Sequence, residues 1–133
     1  MVRGTRLWLL PVLFAGLSCS GRHASPDDRL PGAVTHIVVC WLKTPGDSAA
    51  RDKIIESSGA LRDIPGVLSV SAGRMLPSTR PVVDSTYDVA LVLVFRDEAA
   101  LQAYDAHPIH QAMVRDVVRP LVSRFVVYDF AGD

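Results

Sequence analysis

Tyr87 to Phe95 reads Tyr-Asp-Val-Ala-Leu-Val-Leu-Val-Phe, a run with apolar side chains on both faces through most of its length. Successive side chains of a strand point to opposite faces, so a strand of this composition belongs in the middle of a sheet, covered on both sides. Thr35 to Lys43 makes the same demand. Alternation sets His36, Val38, Cys40 and Leu42 on one face and Ile37, Val39 and Trp41 on the other, and both sets are apolar apart from the histidine. A single layer of helices leaves one of those faces bare.

The segments between these strands supply that layer. After the first strand, Thr44-Pro45-Gly46 turns the chain and Asp47 or Ser48 can cap a helix running to about Asp63, with Ala50, Ile54 and Leu61 on one side. Ile64-Pro65-Gly66 ends it, and Val67 to Met75 reads as the second strand. A loop through Pro77, Arg80, Pro81 and Asp84 leads to the third strand, after which Asp97 caps a helix containing Leu101 and Tyr104. Proline pushes the residue before it out of the helical region and itself suits the first helical position. One helix therefore stops at about Ala106 and another starts at Pro108, with His107 at its cap. This last helix carries His110, Val114, Val117 and Leu121 at helical spacing, Pro120 kinks or ends it, and Arg124 to Phe130 forms a closing strand.

The order β-α-β-β-α-α-β predicts an α+β, ferredoxin-like fold, a four-stranded antiparallel sheet with helices on one face. Its other face is a sizeable apolar patch. A homodimer through stacked sheets covers that patch economically, because a two-fold axis lets one surface satisfy itself.

The N-terminus lies outside this pattern. Arg3 and Arg6 precede the apolar run Leu7 to Phe14, which has the length of a signal-peptide core and falls short of a comfortable membrane span. Ala15-Gly16-Leu17-Ser18-Cys19-Ser20 then has the form of a bacterial lipoprotein cleavage site, departing from the common pattern at Gly16 and Leu17. The expectation is a signal peptide over 1–18, lipidation at Cys19 as the mature N-terminus, and a flexible tether over 19–34. It places the protein on the periplasmic side of a bacterial membrane, with Ser20 favouring the outer membrane. The charges balance, 14 Lys and Arg against 14 Asp and Glu, without a basic cluster. No nucleic-acid partner is expected. Cys19 and Cys40 show no metal-ligand spacing with the histidines, so no metal site is expected. In the absence of a Gly-rich phosphate loop or a haem-attachment pair, no cofactor is expected either.

The chemistry-bearing residues gather around the helix break. Tyr104 sits on the last turn of one helix and His110 on the first turn of the next, so both can face the same space, which His36 enters from the first strand. A neutral imidazole can take a proton from a carbon beside a carbonyl while a second imidazole or a phenol donates to the developing oxyanion. A structural role is the alternative for His36: a half-buried histidine bonded to Tyr104 or His110 also fastens helix to sheet. His107 reads as a cap rather than a catalyst, and Cys40 as inert packing.

Taken together, His36-Ile37-Val38-Val39, Ile64-Pro65-Gly66-Val67, Tyr87 to Val92, Phe95 to Leu101, and Tyr104 to His110 followed by Gln111 resemble the stress-responsive A/B barrel domain, or Dabb, over about 35–132. The resemblance implies a dimeric α+β barrel. One plant member of that family closes a polyketide chain by aldol chemistry. Its pattern matches here at His36, Tyr104 and His110 and departs at Val89, where that enzyme has a further pocket histidine. Three readings follow. In the first, a small apolar or aromatic molecule binds between sheet and helices against His36, Val38, Leu91, Tyr104, His107, His110 and Val114, with Val117 in the wall. The second makes His36, Tyr104 and His110 catalytic, in a cofactor-independent cyclase, isomerase or monooxygenase. The third is a dimerisation or stress module without catalysis.

Overall fold

The computed structural model describes residues 31–132; the expected signal peptide, Cys19 and most of the expected tether lie outside the described residues. Strands β1 (Val34–Leu42), β2 (Val67–Arg74), β3 (Val89–Phe95) and β4 (Val122–Ala131) form one antiparallel sheet in the order β2-β3-β1-β4. Between β1 and β2 run helix α1 (Ser48–Ser57) and a 3-10 turn (Ser58–Asp63). Between β3 and β4 come α2 (Glu98–Asp105), α3 (Pro108–Met113), a π turn (Val114–Val118) and the single turn α4 (Arg119–Leu121). This is the ferredoxin-like β-α-β-β-α-α-β order, with the two doubly apolar strands, β1 and β3, in the middle.

Local chemistry sets the helix starts. The Asp47 carboxylate accepts from the Ala49 and Ala50 amides, and that of Asp97 from Ala100 at 2.8 Å, each answering backbone donors that the first helical turn leaves unpaired. His107 does the same for α3, its Nδ1 accepting from the Ile109 amide at 3.2 Å while Pro108 takes the first helical position. Strand β3 starts at Val89 rather than Tyr87. The Asp88 carboxylate is held by the Leu42 and Gly46 amides at 2.9 and 2.8 Å, which ties the strand's entrance to the turn after β1.

Residues facing the helices make the core: Cys40, Ile54, Leu61, Val89, Leu93 and Phe95 are fully buried. On the opposite face, register sets Ile37 beside Val92 and Tyr128, Val39 beside Ala90 and Val126, and Thr35 beside Val94 and Phe130. Tyr128 and Phe130 remain exposed there. The bare face is thus the Ile37, Val39 and Trp41 set, and it is apolar across three strands. Trp41 is covered by the Arg124 guanidinium 3.9 Å above its ring and by Tyr87 edge-on at 6.5 Å.

Candidate functional site

Three elements bring four rings together. Strand β1 delivers His36 on its helix-facing side, β3 ends there in Phe95, and the break between α2 and α3 sets Tyr104 and His110 across from them. The Tyr104 ring lies 4.2 Å from that of His110, tilted by 33°, and meets Phe95 edge-on at 4.9 Å and His36 edge-on at 5.8 Å. Phe95 and His36 touch edge-on at 6.1 Å. Helical spacing alone would stack residues four apart; the non-helical cap at His107 lets Tyr104 and His110, six apart, stack instead.

Hydrogen bonds fix which nitrogen each imidazole presents. His36 Nδ1 lies 2.6 Å from Asp129 Oδ1, its direct neighbour across the β1–β4 register, and a carboxylate accepts, so Nδ1 carries the proton. His110 Nδ1 donates to the Asp105 carbonyl at 3.2 Å. In each neutral ring Nε2 is left as the nitrogen with a free lone pair. The Tyr104 hydroxyl makes no hydrogen bond among the described residues, and burial, with the Asp105 charge adding to it, lifts the phenol above its ordinary range. It therefore stays protonated at neutral pH, a donor without an assigned acceptor.

These groups border a cavity of about 740 Å³ between sheet and helices. His36, Tyr104 and His110 line it at one end, and Val38, Leu91, Val114, Val118, Phe125 and Val127 supply apolar walls. Two expected lining residues are elsewhere. The His107 ring is occupied as the α3 cap and stays outside the cavity, and Val117 is buried in the core. The cause of the second is the π turn, whose closing bond runs from the Arg119 amide to the Val114 carbonyl, one residue longer than an α-helical bond. Pro120 has no N–H and its ring crowds the carbonyl four residues earlier, so widening the turn accommodates it. The widened turn directs Val114, Val118 and Arg119 to the cavity.

Asp129 is the group that sequence reasoning missed. Its signal was the residue type on the last strand, but pairing with His36 depends on a register that local sequence does not reveal. Cys40 lines the cavity too, and burial pushes its thiol up to about 11. At pH 8 only a small fraction is thiolate. We expect iodoacetamide to label native Cys40 roughly a hundredfold more slowly than the urea-unfolded chain, the native rate rising about tenfold per pH unit up to pH ~11. Peptide mapping after timed quenching measures this; equal rates would mean that the thiol is open to water.

The arrangement can accept a proton at either Nε2 and donate a hydrogen bond from the phenol, inside apolar walls that strengthen both interactions. Among the described residues no group of three or more His, Cys, Asp or Glu side chains is placed to hold a metal ion.

The family model for the stress responsive A/B barrel domain, Dabb, matches residues 34–131. No protein of curated function matches the sequence. Among solved structures, a Dabb family protein with a ferredoxin-like fold from Mesorhizobium loti is 30% identical, with a TM-score of 0.63 over 77% of this chain and 98% of that one. A dimeric protein of unknown function from Bacteroides fragilis is 21% identical, with a TM-score of 0.64 over 76% and 97% of the two chains. A hydroxynitrile lyase from Passiflora edulis is likewise 21% identical, with a TM-score of 0.67 over 78% and 96%. With its β-α-β-β-α-α-β order and this match along nearly all of its described residues, the chain belongs to the stress-responsive A/B barrel (Dabb) domain family.

Proposed function

We propose that this is an exported, lipid-anchored Dabb protein that binds a small, largely apolar molecule between sheet and helices, in a homodimer formed through the bare sheet face. The observation that carries the binding reading is the cavity itself. Its volume of about 740 Å³ lies within the range of small-molecule pockets, and its walls are apolar with a few polar groups converging at one end. The space is partly open to solvent and leaves Phe125 and Val127 exposed along it, apolar surface that an occupant would cover. The dimer rests on the apolar patch around Ile37, Val39, Tyr128 and Phe130 and on relatives of the same fold described as dimeric. Export and lipidation at Cys19 rest on the leader-like N-terminal sequence.

Native mass spectrometry of protein purified from its own host's membranes tests all three together. The expected spectrum is a dimer whose chains begin at Cys19 and carry a lipid mass, with an additional small molecule that is lost when Val114→Trp fills the cavity. A mature protein with the same empty mass in wild type and variant would remove the binding reading.

A catalytic use of the same cavity is favoured by one specific observation, the Asp129–His36 pair, since a carboxylate on Nδ1 fixes the imidazole with Nε2 ready to accept a proton. A hydroxynitrile lyase of the same fold makes cleavage of a cyanohydrin the natural assay. With racemic mandelonitrile as substrate, His36→Ala and His110→Ala should each lower benzaldehyde release at least about tenfold while the dimer persists. Turnover no faster than the buffer blank in wild type, or equal in the variants, eliminates this reading.

A further inference from the structure

The cavity is electrically lopsided. At its imidazole end stand the carboxylates of Asp105, which lines the space, and Asp129, which holds His36. At the other end, where Leu42 pairs with Val122, stands Arg119, the exposed first residue of α4. Lys43 lies beside it, outside the cavity lining, its Nζ donating to the Arg119 carbonyl at 2.8 Å. Every other described arginine or carboxylate nearby has a different engagement. Arg115 pairs with Asp116, the Arg124 guanidinium lies over Trp41 on the bare face, and the Asp88 carboxylate is taken by the Leu42 and Gly46 amides. Neither Arg119 nor Lys43 forms an ion pair with a carboxylate among the described residues. Two cations with no acidic partner at one end of an apolar space suit an anion by charge, and a guanidinium is the group best shaped to hold a planar oxyanion.

The two ends are well separated. His110 and Arg119 are nine residues apart along α3 and the π turn, about 13 Å at helical rise. Between them lie Val38, Leu91, Val114 and Val118. A compact aromatic molecule could touch only one end.

We infer that the cavity takes a single-chain amphiphile with an anionic head, held at the cationic end by Arg119 and Lys43, with its chain running between sheet and helices toward His36, Tyr104 and His110. This rests on the cavity being a ligand site and names what occupies it. The carboxylates at the far end set the orientation, since they repel an anionic head and leave it with the cations.

Isothermal titration with sodium decanoate, decyl phosphate and the uncharged decan-1-ol tests the assignment. Wild type should bind an anionic probe roughly tenfold tighter than the alcohol. Arg119→Gln and Lys43→Gln, both on the exposed surface, should each erode that preference, and together abolish it, with alcohol binding unchanged. Carboxylate and phosphate arms reveal which head fits better. Equal binding of anion and alcohol in wild type, or a preference surviving in the double variant, overturns the inference and leaves the cavity reading standing. Binding of none of the three probes removes both.

Discussion

Phe95→Ala should cost the fold about 3–5 kcal/mol, the range for deleting a fully buried aromatic side chain. Phe95 is 0% exposed and closes β3 beneath the ring cluster, edge-on to both Tyr104 and His36. Removing it deletes the hydrophobic contribution of the ring and leaves a void that surrounding helices fill only in part. It also withdraws the surface against which the two site rings hold their angle. Phe95→Leu separates these effects. That change keeps most of the volume, so the expected loss falls to about 1–2 kcal/mol, while the edge-to-face contacts vanish. Urea unfolding at one fixed protein concentration measures both, since dimerisation would otherwise shift the midpoint. If leucine proves as costly as alanine, ring geometry outweighs volume at this position. A loss under about 1 kcal/mol for alanine would contradict the packing described for the site.

How far the molecule could be read in advance depends on the range of the interaction. The two-faced strands placed β1 and β3 in the middle, because a residue's face follows from alternation and needs no partner to be known. Asp47, Asp97 and His107 were legible as caps for the same reason: each bonds to an amide two or three residues away. Asp129 was not, since it meets His36 across 93 residues of chain through a register that only the assembled sheet defines. An intermediate case is Pro120. Its lack of a donor announced a disturbance, but whether the helix would break, bend or widen depended on packing. The helix widens over Val114–Val118, and that choice removed Val117 from the expected wall and put Val118 and Arg119 in its place. This stretch of the cavity wall is therefore the product of a local defect whose sign, but not outcome, is written in the sequence.

Gly66→Ala is expected to destabilise the chain by about 3–5 kcal/mol, although it adds one methyl group outside the core. Two costs combine. Gly66 has φ +90°, a conformation that strains any residue bearing a Cβ, and an ideal Cβ there meets the Ala100 Cβ at 2.5 Å. Gly46 provides the control. Its φ is +77° but a Cβ meets nothing within 4 Å, so Gly46→Ala should cost only the backbone share, about 1–2 kcal/mol. The difference between the variants isolates the contact. It bears on function because Ala100 is one helical turn before Tyr104, on the same buried side of α2, and the neighbouring Arg96 amide is tied to the Gly66 carbonyl at 2.9 Å. A helix forced away from Gly66 carries Tyr104 away from His36. Decanoate affinity should therefore fall in Gly66→Ala even under conditions where the variant is fully folded, and stay unchanged in Gly46→Ala. Equal affinity in both would show that α2 can move without disturbing the site, and the close glycine contact would then serve the fold alone.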